Sequence, residues 1–209
     1  MRNFLLIDDH EVVRAGVKIV LTELYKPSTI YEAHDEKSAL KQLKSTHFDL
    51  VIMDVQMPDT NTVSLIEYIT ITYPDVKVLM FSMSAENIYA KRFLKAGAMG
   101  FVSKNAGMAE LKKAIDLVLG NRRYISETLI DIMAGDIGKK ENGNPFDKLS
   151  ARELDIATLM MKGKSISEIA DQLNITVSTT GTYKSRLFDK LSVKNIAELI
   201  ELGRVFGII

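Results

Sequence analysis

The sequence predicts an α/β unit with a doubly wound, five-stranded parallel sheet, followed by an all-α unit of four helices. Over residues 1–122, short apolar runs alternate with amphipathic segments. Two of these runs, 50–53 and 76–81, are almost continuously apolar, as strands buried on both faces are. From Leu149 onward the strand signals stop and only helical patterns remain.

Five strand–helix repeats make up the first unit. The strands are predicted near residues 3–7, 28–33, 48–53, 76–81 and 99–103. The helices are predicted near residues 11–24, 36–45, 63–73, 85–96 and 107–119. Parallel strands need a crossover between them, and a helix of this length supplies one. The alternating order therefore predicts helices on both faces of the sheet.

Residues 123–146 are predicted to form a linker with one short helix at 127–134, because glycines and the run Asn142-Gly-Asn-Pro145 favour a flexible connection. In the second unit, 147–209, four helices are predicted near 150–162, 165–173, 176–191 and 194–206. Only Leu173-Asn-Ile175 joins the second of these helices to the third. A connection this tight is typical of a helix-turn-helix.

The composition excludes several kinds of protein. There is no cysteine, which excludes disulfides, thiolate chemistry and cysteine-based metal sites. Basic and acidic residues number 27 each, so net charge favours no class of partner. No uncharged apolar stretch approaches the ~20 residues that cross a bilayer, and the early Asp8 and Asp9 argue against a signal peptide. We therefore expect a cytoplasmic protein with no membrane partner.

Charged or hydroxyl side chains follow four of the predicted strands. Asp8 and Asp9 follow the first, Asp54 the third, Ser82 the fourth and Lys104 the fifth. The carboxyl ends of parallel strands open onto one edge of the sheet, where such sheets bind ligands. We therefore expect these five side chains to converge on one crevice.

Three carboxylates, a hydroxyl and an ammonium suit a divalent metal and a phosphoryl group. Ionised carboxylates at close range repel one another, and a hard cation such as Mg²⁺ relieves the repulsion. Asp54 is the predicted phosphoacceptor, because it ends the most apolar central strand and a carboxylate can attack phosphorus. Lys104 is expected to neutralise phosphoryl oxygens, and the Ser82 hydroxyl to donate to one of them.

Each residue also has a simpler interpretation when it is taken alone. The Asp8-Asp9 pair suits a helix N-terminus, Asp54 a loop cap, Lys104 an exposed surface, and Ser82 the cap of the next helix. Their spacing at successive strand ends favours the shared site. His10 is interpreted as a partly exposed neighbour and not as a metal ligand, because three scattered histidines do not favour a zinc site.

Residues 1–120 resemble a CheY-like receiver domain, which has a flavodoxin-like fold. Asp8-Asp9, Asp54 ahead of Met57-Pro58, Ser82 and Lys104 stand in the order of that family. The stretch Ala96-Gly-Ala-Met-Gly-Phe-Val-Ser-Lys104 is similar to that of NarL/FixJ-type response regulators. The resemblance implies that a histidine kinase transfers a phosphoryl group to Asp54.

The same resemblance implies how the cofactor Mg²⁺ is held. Its ligands would be Asp9, Asp54 and the backbone carbonyl of Gln56, with Asp8 in support. Ser82 and Phe101 would be the switch hydroxyl and the switch aromatic, which in such domains move on phosphorylation.

One departure from the family follows Met57-Pro58. Glycines are usual there, whereas this chain has Asp59 and Thr62. Glycine accepts positive φ and a β-branched residue does so poorly. We therefore expect a different turn beside Asp54.

The second unit resembles a LuxR-type helix-turn-helix in three stretches, Leu149 to Glu153, Ser165 to Ala170 and Ile175 to Leu191. The third helix is expected to start after Thr176 as N-cap and to enter the major groove of DNA. Its predicted core side carries Val177, Thr180, Leu187 and Leu191. Its predicted DNA side carries Ser178, Thr179, Gly181, Thr182, Tyr183, Lys184, Arg186 and Lys190.

The sequence thus predicts a response regulator whose phosphorylation controls sequence-specific DNA binding by a homodimer, and not an enzyme. The last helix is a candidate dimer seam through Ile196, Leu199, Ile200 and Val205, although packing within one monomer explains these residues equally well. Two rival classes stay open. One is a Mg²⁺-dependent phosphatase with His10 as its base, and the other is an adaptor whose helical unit binds protein.

Overall fold

The chain forms two compact units, Met1–Gly138 and Lys139–Ile209. Their boundary falls within the segment predicted as the linker. The computed structural model describes residues 1–57, 60–83, 86–127, 129–130, 144–206 and 208–209. Most of the short helix predicted at 127–134 lies outside them. Among the described residues, no helix has the length and apolar character needed to cross a membrane.

A five-stranded parallel sheet forms the centre of the first unit. Its strands are β1 (Arg2–Ile7), β2 (Ser28–Ala33), β3 (Leu50–Met53), β4 (Lys77–Ser82) and β5 (Gly100–Ser103). They lie in the order β2-β1-β3-β4-β5, all parallel. This order puts β1 beside β3, so that the two strands ending at the acidic residues are neighbours. The predicted fold class is confirmed.

Five helices cover the sheet, namely α1 (Glu11–Leu24), α2 (Glu36–Ser45), α3 (Thr62–Thr72), α4 (Glu86–Lys95) and α5 (Met108–Leu119). Alternate strand residues such as Phe4 and Leu6 join one core cluster with Val17 of α1 and Leu111 of α5. The intervening strand residues are buried as well. Since successive strand side chains point to opposite faces, both faces of the sheet are covered.

The chain that follows α5 returns to the open edge of the sheet. The backbone N–H of Tyr124 donates to the Met99 carbonyl at 2.9 Å, and Tyr124 forms a β-bridge with Gly100. The Tyr124 hydroxyl donates to Glu110 at 2.7 Å, and Leu129 is buried. Tyr124 and Leu129 are therefore part of the packed structure of the first unit.

Four helices build the second unit, α6 (Ala151–Met161), α7 (Ile166–Gln172), α8 (Val177–Leu191) and α9 (Ile196–Val205). Ser150 and Ser165 each form a reciprocal capping box with a glutamate three residues later, which fixes where α6 and α7 begin. Asn174, with φ of 51°, makes the tight turn between α7 and α8. Arg152 secures this turn by donating to the Leu173 carbonyl at 2.6 Å.

The core side predicted for α8 is wrong at one position. Thr180, Leu187 and Leu191 are buried, whereas Val177 is 54 % exposed. The helical period predicts burial because Val177 lies one turn before Thr180. However, Val177 is the first residue of α8, and at that end the helix has passed beyond the core.

Candidate functional site

The carboxyl ends of β1, β3 and β5 bring one lysine between two aspartates. Lys104 Nζ lies 2.6 Å from Asp8 Oδ2 and 2.8 Å from Asp54 Oδ2. All three side chains are more than 90 % buried. Groups separated by up to 96 residues along the chain thus meet at one edge of the sheet, where the strand-end pattern predicted a shared crevice.

Charge balance at this site depends on Lys104. Burial by itself would lower the pKa of its ammonium, but attraction by Asp54 and Asp8 and hydrogen bonds to both hold that pKa above the ordinary lysine value. Lys104 is therefore charged at neutral pH and offsets part of the negative charge of the two buried carboxylates. The simpler interpretation of Lys104 as an exposed surface residue does not describe this geometry.

A second group of side chains could hold a cation. One ligand atom from each of Asp8, Asp9, His10 and Asp54 lies within 4.8 Å of the others. Carboxylate oxygens are the ligands that Mg²⁺ and Ca²⁺ prefer, so the donor set fits a hard divalent ion. His10 was not predicted as a metal ligand, yet its Nδ1 lies 2.8 Å from Asp9 Oδ1. The His10 side chain itself is 61 % exposed.

Asp8 is fixed through each of its three oxygens. Oδ1 accepts the backbone N–H of His10 at 2.8 Å, Oδ2 accepts Lys104, and the backbone carbonyl accepts Arg14 Nη1 at 2.6 Å. The N-cap of α1 is His10, so neither Asp8 nor Asp9 is the cap. Nothing in the amphipathic pattern of α1 distinguishes Arg14 from a solvated arginine, and sequence reasoning therefore missed its contact.

The loop that follows Asp54 is anchored at its far end by Thr62. The backbone N–H of Val55 donates to Asp54 Oδ1 at 2.7 Å, and the Thr62 hydroxyl donates to the Val55 carbonyl at 2.7 Å. Thr62 is fully buried and is the first residue of α3. Its backbone is not in the positive-φ region, which removes the strain expected of a threonine there. Gln56 is half-buried in this loop, and Asp59 lies outside the described residues.

The two predicted switch residues are both buried in the sheet. Ser82 ends β4 and is 1 % exposed, so it belongs to a strand and does not cap α4, which starts at Glu86. Phe101 in β5 is also 1 % exposed. Its ring is stacked on Phe93 of α4 with centroids 6.4 Å apart, and Phe93 is stacked on Tyr89. A row of three rings thus joins β5 to α4.

The surface of α8 carries polar residues on its solvent side. Ser178, Gly181, Thr182 and Arg186 are exposed, and Thr179, Tyr183 and Lys184 are half-buried. Thr176 caps the helix by accepting the Thr179 N–H, as predicted. Several polar groups already have local partners. Thr182 donates to the Ser178 carbonyl at 3.1 Å, and the Lys184 ammonium lies 5.5 Å from the centre of the Phe188 ring.

Lys190 differs from the other predicted DNA contacts. Its Nζ lies 2.6 Å from Oε2 of Glu153, a buried carboxylate at the N-terminus of α6. Burial by itself would raise the pKa of Glu153, but hydrogen bonds from Lys190 and from the Ser150 backbone hold it below the ordinary glutamate value. Sequence reasoning missed this pair because its members are 37 residues apart.

Comparison with known proteins covers both units. Residues 4–116 match the model of the response regulator receiver domain, and residues 147–202 match that of the luxR family of bacterial regulatory proteins. The response regulator UvrY of Escherichia coli strain K12 is 34 % identical over 209 residues, covering 100 % of this chain and 96 % of its own. The response regulator GacA of Pseudomonas viridiflava is 33 % identical over 210 residues, covering 100 % and 98 %.

Solved structures agree with the fold. RcsB from Salmonella enterica serovar Typhimurium, bound to promoter DNA with the phosphomimetic BeF₃⁻, superposes with a TM-score of 0.59 at 22 % identity, covering 100 % of this chain and 99 % of its own. The domain order, the fold and the relatives that match along the whole chain all indicate the same family. The chain therefore belongs to the response regulators and is built from a receiver domain and a LuxR-type DNA-binding domain.

Proposed function

We propose that Asp54 is the phosphoacceptor of this response regulator. The contact that carries the proposal is the bridge from Lys104 to Asp8 and Asp54, since it joins a nucleophile to a cation suited to phosphoryl oxygens. One oxygen of Asp54 forms a bond to phosphorus as the bond between phosphorus and the donor breaks. Lys104 stabilises the charge that develops on the phosphoryl oxygens.

Asp9, Asp54 and the backbone carbonyl of Gln56 would hold Mg²⁺, and Asp8 would support them. The group of carboxylates within 4.8 Å of one another fits this assignment. When bound, Mg²⁺ would offset the negative charge of the carboxylates and the incoming phosphoryl group. Asp8 keeps Lys104 directed at Asp54, because its second oxygen holds the same ammonium.

Ser82 and Phe101 would change position when Asp54 is phosphorylated. Ser82 ends the strand next to β3, so its hydroxyl is suited to follow a phosphoryl group on Asp54. Because Phe101 is stacked on Phe93, a movement at the end of β4 or β5 would be transmitted to α4. The consequence is a shift in the population of receiver conformations.

The output would be sequence-specific DNA binding through α8. The direct contacts are proposed to come from Ser178, Thr179, Gly181, Thr182, Tyr183, Lys184 and Arg186. Lys190 was predicted with them. Its side chain is 42 % exposed, so an N–H of its ammonium that Glu153 does not accept is available to a DNA phosphate. The phosphorylated protein is proposed to act in the cytoplasm as a homodimer. Ile196 on α9 is exposed and Leu199 is buried in its own monomer, so only part of the predicted seam is accessible.

We further propose that a histidine kinase supplies the phosphoryl group and that the protein is not itself an enzyme. The test is labelling of the full chain with acetyl phosphate and Mg²⁺, measured by intact-protein mass and followed by DNA binding. Wild type should take up one phosphoryl group and bind DNA more tightly. Asp54→Asn should do neither, whereas the matched change Asp49→Asn, at the other end of β3, should label as wild type does.

Three outcomes would contradict parts of this proposal. Label that persists on Asp54→Asn would refute the phosphoacceptor. Steady turnover of a small phosphate ester would indicate a phosphatase with His10 as its base. Failure to bind any DNA at low salt, phosphorylated or not, would indicate a helical domain that binds protein.

A further inference from the structure

Arg14 joins the end of β1 to the neighbouring strand. From the first turns of α1, its Nη1 donates to the backbone carbonyl of Asp8 at 2.6 Å. Its Nε donates to Glu32 Oε2 of β2 at 3.3 Å. The side chain is only 13 % exposed. The guanidinium is planar and holds its N–H groups in a fixed fork, so two acceptors on different strands set its orientation.

Glu32 is itself held in place by a second cation, Lys18. Its other oxygen accepts Lys18 Nζ at 2.7 Å, and hydrogen bonds from Lys18 first and Arg14 next hold the pKa of Glu32 below the ordinary glutamate value. In the sheet register Glu32 lies opposite Leu6, and the N–H of Asp8 donates to the Ala33 carbonyl at 3.1 Å. Arg14 is therefore fixed by the same strand pair that carries Asp8.

We infer that Arg14 is a positioning residue that holds the Asp8–Asp9 turn in the geometry that binds the divalent cation. It would not touch the cation. It binds the one Asp8 oxygen that neither His10 nor Lys104 holds. Without it, the peptide that links Asp8 to Asp9 would lose its only side-chain donor among the described contacts, and Asp9 would then be free to turn away.

This inference rests on the proposed function, since it assumes that Asp9 and Asp54 bind Mg²⁺. The positive charge of Arg14 also repels a cation at the site, so its removal would by itself strengthen Mg²⁺ binding. Glu32 neutralises much of that charge at 3.3 Å. Removing partners that orient metal ligands weakens metal affinity by about 10- to 100-fold. We therefore expect replacement of Arg14 to weaken Mg²⁺ binding, because the affinity lost with positioning is larger than the affinity gained when the repulsion is removed.

The experiment is a Mg²⁺ titration of the full chain, followed through the amide NMR shifts of residues 8–10 and 54–57. Arg14→Ala should bind Mg²⁺ about tenfold more weakly. Its labelling by acetyl phosphate at saturating Mg²⁺ should stay within about twofold of wild type, as for a change in binding and not in the chemical step. Arg14→Lys, which can reach only one acceptor at a time, should restore part of the affinity.

Lys18→Ala is the matched control. It removes the other ion pair of Glu32 without touching Asp8, so its Mg²⁺ affinity should equal that of wild type. Arg14→Met is a second variant, for use if Arg14→Ala does not fold. It keeps an apolar stem in the largely buried site but has no N–H donor, so it should weaken Mg²⁺ binding in the same direction.

Wild-type or tighter Mg²⁺ binding by Arg14→Ala, or by Arg14→Met in its place, would overturn the inference. Unchanged affinity with slow labelling at saturating Mg²⁺ would overturn it as well, because the residue would then act on the chemical step. If wild type itself neither binds Mg²⁺ nor takes up label, the proposed function fails, and this result is distinct from a failure of Arg14 alone.

Discussion

The ammonium of Lys190, near the end of α8, lies 2.6 Å from the buried carboxylate of Glu153 at the start of α6. One contact thus ties the helix proposed to enter the DNA groove to the first helix of its domain. Because Glu153 is buried, loss of Lys190 leaves a carboxylate without its ion-pair partner. Lys190 thereby has a role in stability in addition to any role in DNA binding.

We predict that Lys190→Gln lowers the stability of the second unit by about 1–2 kcal/mol, less than for a fully buried pair because Lys190 is partly in solvent. Amide hydrogen exchange in α6 and α8 of the full chain measures this change. Arg186→Gln, an exposed change on the same helix, is the control and should weaken DNA binding without faster exchange. Equal exchange in the two variants would contradict the prediction.

The same pair predicts a pH dependence. A glutamate whose pKa is lowered on folding stabilises the protein above its unfolded pKa and loses that contribution as pH falls through the folded value. The stabilisation from Glu153 should therefore begin to decline near pH 4.3, about the ordinary glutamate pKa, and should be lost once the pH falls below the lower pKa of the folded state. Exchange in α6 followed from pH 6 to pH 3 should show a steeper loss for wild type than for Glu153→Gln; parallel curves would count against this assignment.

Lys104→Met should destabilise the receiver in a Mg²⁺-dependent way. Removing one member of a buried ion pair costs about 3–5 kcal/mol when the remaining charge has no partner. Without Mg²⁺, Asp8 and Asp54 would be left facing each other. Urea unfolding of the full chain, followed by circular dichroism, should show the larger loss in EDTA and a smaller loss in saturating Mg²⁺. An equal loss in both would mean that no divalent cation binds between these carboxylates.

Thr62→Val should loosen the loop that follows Asp54. Valine has the shape of threonine but leaves the Val55 carbonyl without its buried donor, which costs about 1–3 kcal/mol. Thr62→Ser keeps the hydroxyl and is the control. We expect lower unfolding stability and slower labelling by acetyl phosphate for the valine variant. If both variants label alike, the hydroxyl does not hold the loop.

Two glycines of the second unit form a matched pair. A Cβ added at Gly181 or at Gly163 would meet no atom within 4 Å, but Gly163 has φ of +81° and Gly181 lies in α8. Gly181→Ala should stabilise the unit by about 0.5–1 kcal/mol. Gly163→Ala should destabilise it by about 1 kcal/mol, the cost of a left-handed backbone for alanine. Thermal unfolding of the two variants compares them directly, and shifts of the same sign would refute the argument.

The fold could be predicted from the sequence because its signals are local. Ser150 and Ser165 stand three residues before a glutamate, and this spacing sets the helix start almost to the residue. The convergence of Asp8, Asp54 and Lys104 could also be predicted, since parallel strands carry their carboxyl ends to one edge. Their roles toward phosphate and Mg²⁺ stay predictions.

The supporting contacts could not be predicted. Arg14 and Lys190 look like solvated charges in their helices, and only the tertiary structure shows that each binds a partner on another element. Thr62 looked like a misplaced β-branched residue, because the sequence does not show that it begins a helix with its hydroxyl turned back to Val55. The Val177 prediction was wrong because a helical period does not show where the core ends.

The contact of Tyr124 with the edge of β5 determines where the receiver domain can be cut to give an isolated fragment. A fragment cut at residue 122 would lose this bridge and uncover the Met99 carbonyl and Gly100 at that edge, and bare strand edges recruit other chains into intermolecular sheets. Light scattering should therefore detect self-association in such a fragment. A fragment that runs through Ile130 would retain its own cover and stay monodisperse.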